Sequence, residues 1–187
     1  MIKKLSTILF LFGFILIVGS GVLVIKDYLN TKNQNHELIQ ELYEKMPNIQ
    51  NGVILNIHDE MPIVELNNNN YVGIIEIPKY NRKLPIQATW QPNKLKQYPS
   101  VYLGTVYDGS LIIGGNDTRN QFDFMKTISE EDTITITDMK GKRYSYIIDE
   151  IEITKDVSTK HLISNEHHFI LFVKNTYSFD YTILRCK

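Results

Sequence analysis

The sequence predicts a mostly β domain, a barrel or sandwich of about eight strands, behind a single N-terminal membrane-spanning helix. Three observations predict it. An uncharged run of 21 residues, Leu5 to Ile25, opens the chain. After Asn70 the sequence breaks into short β-rich runs separated by turn residues, and one of them, Thr133-Ile134-Thr135-Ile136-Thr137, alternates strictly.

As a helix the opening run spans roughly 31 Å, close to the hydrocarbon thickness of a bilayer. Lys3 and Lys4 precede it, and the positive-inside rule holds residues 1–4 in the cytoplasm, with Lys26 weakening the asymmetry. The alternative is a cleaved signal peptide with its cut near Gly19, Ser20 and Gly21; the apolar residues Val22 to Ile25 continue past the length a cleavage site needs. Either way the domain is exported. Residues 26–70 turn polar and Asn-rich, as in an extracellular stalk. Within them His36 to Met46 carries Leu38, Ile39, Leu42 and Tyr43 at helical spacing, and Pro47 supplies a stop. Asn67 to Asn70 favour turns and set the start of the compact domain, residues 71–187.

The expected strands are Tyr71–Ile77, Lys83–Ile86, Ser100–Leu103, Ser110–Ile113, Thr133–Thr137, Arg143–Thr154, His168–Val173 and Tyr181–Arg185. The alternation of Thr133–Thr137 predicts one buried face, and Asp138 to Gly141 reads as the hairpin turn into the next strand. His168–Val173 is apolar on both faces, as a central strand is. Gln121–Ile128 and Ser158–Ile163 are the expected helices, the second with Ser158 as N-cap.

Composition excludes several functions. Twenty basic against twenty-one acidic residues give a net charge of -1, so no charge field favours nucleic acid. The single cysteine, Cys186, makes neither an internal disulfide nor a thiol zinc cage. His36, His58, His161, His167 and His168 lack metalloprotease spacing, and no cofactor or metal is expected. Glu130, Glu131 and Asp132 form a solvated turn rather than two carboxylates facing across a cleft. Asn116-Asp117-Thr118 offers too few oxygens for calcium.

Several segments, in order, resemble the sortases, membrane-anchored cysteine transpeptidases that attach proteins to the Gram-positive cell wall. Gly73-Ile74-Ile75-Glu76-Ile77-Pro78 with Lys83-Leu84-Pro85-Ile86 resembles their opening G-x-(I/L)-x-I-P and L-P-(I/V). Tyr102-Leu103-Gly104-Thr105 and Gly109 to Asn116 resemble the run into (I/V)-(I/A)-G-H-N, and Gln121-Phe122, Glu131-Asp132, Thr137 to Gly141 and Tyr146 continue the likeness. His168 to Asn175 lies where sortases carry T-L-x-T-C-T, and Tyr181 to Cys186 lies on their closing R-x-x-V-x strand. The likeness covers residues 71–186 and implies a closed sortase-like β-barrel of about eight strands with one or two short helices.

The resemblance also implies which residues matter. A sortase attacks a threonyl carbonyl with a thiolate, moves protons with a histidine and stabilises the oxyanion with an arginine. Those positions fall on Lys174, Gly115 and Tyr181, so all three reactive groups are replaced. A register slip puts Asn175 or Thr176 at the nucleophile position, and neither is a thiol. The expectation is a surface-exposed pseudo-sortase that binds sorting-signal peptides or other cell-wall proteins through Asn116, Lys174, Thr176 and Tyr181, with the cation of Lys174 favouring an acidic ligand. The alternatives are an active transpeptidase or hydrolase with unorthodox groups, such as Lys174 made nucleophilic by burial, and a relic without a task.

Overall fold

The structure is a computed structural model that describes residues 2–55, 57–163 and 166–187, with residues 2–9, 27 and 31 described by backbone alone. The side chains of Lys3 and Lys4 therefore lie outside the described residues. The chain divides into two units between His36 and Glu37.

Helix α1 (Ile2–Lys45) makes up the first unit and its last turns belong to the second. Its apolar side chains from Phe10 to Ile25 are exposed on every side, and it is the one helix among the described residues long and apolar enough to cross a membrane. Ser20 satisfies its own hydroxyl by donating to the Ile17 carbonyl at 2.8 Å, within the helix. The short helix expected at His36–Met46 is not separate: nothing from Lys26 to Asn35 breaks a helix, so α1 continues until Pro47 approaches.

In the second unit the short strand β1 (Gln50–Asn51) is followed by β2 (Val64–Leu66), β3 (Asn69–Ile77), β4 (Arg82–Gln87), β5 (Ser100–Leu103), β6 (Leu111–Asn116), β7 (Thr133–Asp138), β8 (Lys142–Thr154), β9 (Phe169–Lys174) and β10 (Tyr181–Cys186). Neighbouring strands run β8-β10-β9-β6-β5-β4-β3, and β7 pairs with both β3 and β8, closing an eight-stranded barrel. Closure leaves no unpaired edge along the ring. The interior is filled by inward side chains such as Ile75, Leu84, Ile113, Phe122, Leu171 and Leu184, all at most 1% exposed.

A second layer covers the outside of β3. Leu38, Ile39 and Leu42 at the end of α1 pack with Tyr71, Ile74 and Met139, and each buried leucine contributes about 2 kcal/mol. Tyr43 adds a directional tie by donating its hydroxyl to Glu76 at 2.6 Å. Glu76 also pairs with Lys83 at 3.1 Å and Arg143 at 3.2 Å. Burial pushes the Glu76 carboxyl up, but these three partners outweigh it and hold the group below its ordinary value.

Four expectations change in detail. Asn67 and Asn68, both at positive φ (51° and 59°), close a two-residue hairpin between β2 and β3, so strand pairing begins before Asn70. The threonine face of β7 is buried too, because Thr135 and Thr137 share the face of Ile74. In place of a helix at Gln121–Ile128 there are turns and a single 3-10 turn at Met125–Thr127, since Phe122, Phe124 and Met125 are all drawn into the barrel core. The helix near Ser158 is short, α2 (Thr159–Leu162), and Ser158 sits at its N-cap position without a side-chain cap.

The turn at Asp138 forms as expected and is anchored deeply. The Gly141 N–H donates to the Asp138 carbonyl at 3.0 Å with Gly141 at φ 73°, and the buried Asp138 carboxylate faces inward to Tyr107.

Candidate functional site

Strand pairing brings three of the expected positions into one row. The parallel register of β6 and β9 sets Asn116 beside Lys174, and the antiparallel register of β9 and β10 sets Lys174 beside Tyr181. Paired residues point to the same side of a sheet, so all three face outward from the barrel. Beneath them on that face lies an aromatic cluster in which Phe172 meets Trp90 and Tyr102 with ring centroids 5.5 Å away in each case and Tyr181 at 6.2 Å. Lys174 is the one exposed residue of β9 and has no carboxylate partner among the described residues. The burial required for a nucleophilic lysine is missing.

Gly115 points inward and is closely packed. A Cβ built there would lie 2.4 Å from Cε2 of Phe122 and 2.8 Å from its Cδ2, well inside contact distance. Phe122 is fully buried, so the space an imidazole would need at this position is filled by a phenyl ring. Gly114, facing the other way, is crowded at 2.4 Å by Trp90. The pair of glycines also hid the strand's length: β6 runs on to Asn116, beyond the expected end at Ile113, because residues without side chains carry no alternation.

Asn116 and Thr176 both have partners. The Asn116 side-chain amide donates to the Leu95 carbonyl at 2.7 Å, and Gln121 donates to the same oxygen at 2.5 Å. Together they hold the segment after Trp90 beside the row. Thr176 donates both its backbone N–H, at 2.7 Å, and its hydroxyl to Asp117 Oδ1. Asp117 returns its N–H to the Lys174 carbonyl at 3.1 Å, so the loops after β6 and β9 are laced together.

The loop from Asn175 to Asp180 is tied across its base. Asn175 donates its N–H to the Asp180 carbonyl at 2.9 Å and its side-chain amide to the Asp180 carboxylate, which also accepts from Ser178 at 2.6 Å. Those donors hold the Asp180 carboxyl below its ordinary value. At the tip Tyr177 is 87% exposed and Phe179 is 73% exposed, the latter at φ 59°, a left-handed conformation that aromatic residues rarely adopt.

The remaining reactive groups lie elsewhere. Cys186 is inside the barrel with no exposure, and burial pushes its thiol up, so it stays protonated. Arg185, at the far end of β10 from Tyr181, is spent on Glu152 at 3.3 Å and the His161 carbonyl at 3.0 Å. His168 precedes β9 and is about 20 Å along the strand from Lys174. Among the described residues no group of three or more histidine, cysteine or acidic side chains is placed to hold a metal.

No sequence pattern marked Trp90, and Asp117, Gln121 and Phe122, though they lie in segments the sequence singled out, were given no part in this site. Their roles come from pairings between distant segments, which no local spacing encodes.

Residues 75–178 match the family model of the sortase domain. Among solved structures, sortase A from Corynebacterium diphtheriae superposes with a TM-score of 0.52 and 22% identity, covering 63% of this chain and 60% of that one. Sortase C1 from Streptococcus agalactiae gives 0.53 and 20%, covering 65% and 69%. Sortase C1 from Streptococcus suis gives 0.50 and 17%, covering 62% and 71%. At these identities the likeness is one of fold. No curated protein sequence gives a significant match.

Proposed function

Because the chain belongs to the sortase family, we propose that it is a pseudo-sortase, a family member that keeps the barrel and peptide-facing surface and lacks the transpeptidase chemistry. It binds an extended peptide, such as the sorting signal of a cell-wall protein, and serves as an accessory in anchoring. The observation that carries this is the row Asn116, Lys174, Tyr181 with Gly115 backed by Phe122. At the family's reactive positions it offers an ammonium, a phenol and no imidazole, and nothing there makes a thiolate. A shape-complementary wall can outlast its reactive groups, and the free charge of Lys174 beside exposed Tyr177 and Phe179 favours a peptide with an acidic residue among apolar ones.

The test is a pair of measurements on the full-length chain. Cleavage of fluorogenic sorting-signal peptides stays at background in the wild type and in Cys186→Ala. The same peptides and their acidic variants bind, and Lys174→Ala weakens the acidic ones severalfold. Turnover that vanishes in Cys186→Ala means the reactive site lies elsewhere, and binding that is absent or equal in both proteins leaves a fold without this task.

In this reading residues 1–4 are cytoplasmic, residues 5–25 span the membrane uncleaved, and the barrel faces the outside of a Gram-positive cell. The apolar exposure of α1 supports the span, and the sequence position of Lys3 and Lys4 supports the orientation. Protease added to intact protoplasts is expected to remove the barrel; a barrel protected until lysis reverses the topology.

A further inference from the structure

A cavity of about 80 Å³ opens between the β2–β3 hairpin, the end of β4 and the turn containing Lys94. A single water needs about 10–15 Å³, so the cavity admits a group of a few heavy atoms. Every residue lining it is polar, and none is acidic. Exposed Asn68, Asn70 and Thr89 form its mouth, while Gln87, only 4% exposed, lies deepest.

The donors in this cavity outnumber what the protein uses. Gln87 Oε1 accepts from the Ser100 hydroxyl at 3.2 Å, which turns the amide nitrogen away from Ser100. That nitrogen has no hydrogen-bond partner among the described residues. A buried donor left unmade costs about 1–3 kcal/mol, so the position favours an acceptor. Lys94 brings the only cation, and its Nζ donates to the neutral Asn69 Oδ1 at 3.0 Å rather than to a carboxylate. Asn69 is itself fixed by its amide donating to the Asn67 carbonyl at 3.1 Å, across the left-handed hairpin turn. One ammonium is thus positioned against a rigid wall with its charge uncompensated.

We infer that this cavity is a binding site for a small carboxylate, either a free acid or the carboxylate end of a peptide, held by the Lys94 ammonium and the Gln87 amide. A carboxylate carries one negative charge and four acceptor positions, matching one ammonium and a set of neutral donors. Phosphate, with about -1.5 to -2 charges at neutral pH, would be left under-neutralised by a single lysine. The site is separate from the row at Lys174 and stands whether or not that row binds a peptide.

The experiment is a titration of the full-length chain in detergent with acetate, N-acetylalanine, N-acetylalaninamide and inorganic phosphate. It is followed by calorimetry and by the nitrogen-15 resonance of the Gln87 side chain. Acetate is expected to shift that resonance saturably, with the amide and phosphate leaving it unmoved. Binding of N-acetylalanine as well assigns the site to a chain end, and binding of acetate alone assigns it to a free acid. Lys94→Gln, at a half-buried position, is expected to keep the melting temperature and weaken acetate binding about tenfold or more. No saturation with either carboxylate, affinity unchanged in Lys94→Gln, or a phosphate response equal to that of acetate overturns the assignment.

Discussion

Gly115→His is expected to destabilise the barrel by about 3 kcal/mol and to restore no turnover, even when combined with Lys174→Cys and Tyr181→Arg. The reason lies in the phenyl ring of Phe122, with Cε2 2.4 Å and Cδ2 2.8 Å from where a Cβ would stand. A glycine in a strand ordinarily gains stability on becoming alanine, by about 0.4–1 kcal/mol, through lost freedom of the unfolded chain. Here the overlap dominates, so Gly115→Ala should reverse that sign and cost about 1–3 kcal/mol. Phe122 has nowhere to go: it is fully buried, with Phe124 edge-on at 6.2 Å. A double-mutant cycle measures the clash directly. Phe122→Ala alone costs about 3–5 kcal/mol for its cavity, and adding Gly115→His to it should cost less than the histidine does in the wild type. Denaturant midpoints of the four proteins decide it. Additive losses, or a Gly115→Ala variant as stable as the wild type, mean that Phe122 does not guard the position.

That clash also marks the limit of what the sequence discloses. Eight strands of the barrel were legible as short β-rich runs between turn residues, with strict alternation at Thr133–Thr137, and the central place of β9 followed from its apolar faces on both sides. The row at Lys174 was legible through resemblance alone; its geometry depends on the parallel pairing of β6 with β9, which no local pattern specifies. Phe122 follows Gly115 by seven residues, and nothing in that spacing says that a turn folds the ring back onto the glycine. The same segment misled at Gln121–Ile128, where Phe122, Met125 and Ile128 recur at helical spacing while core packing draws them into turns. Burial on the threonine face of β7 was hidden for a related reason. A threonine reads as solvent-facing until the end of α1 is known to lie over that side of the sheet.

Asp138→Ala is expected to cost about 3–5 kcal/mol, although no cation pairs with this carboxylate among the described residues. Asp138 is fully buried and accepts three hydrogen bonds: Oδ1 from the N–H groups of Lys140 at 2.9 Å and Lys142 at 2.8 Å, and Oδ2 from the Tyr107 hydroxyl at 2.8 Å. Alanine orphans all three donors, each at about 1–3 kcal/mol before relaxation lets water reach the turn. Burial and then the hydrogen bond to Asp138 push the Tyr107 phenol up, so it remains a donor over the working pH range and its need for an acceptor does not titrate away. The loss should also loosen barrel closure. β7 is joined to β8 through this turn and is the strand that closes the ring against β3. Asp138→Asn separates shape from charge: its oxygen still serves the two backbone donors, and the Tyr107 hydroxyl can turn to accept from its amide. We expect it to cost about 1 kcal/mol. Denaturant unfolding gives the magnitudes, and hydrogen exchange at Lys140 and Lys142 reports the turn itself. Both amides should lose protection in Asp138→Ala and retain most of it in Asp138→Asn. Equal losses in the two variants would assign the effect to the missing negative charge in place of the three donors.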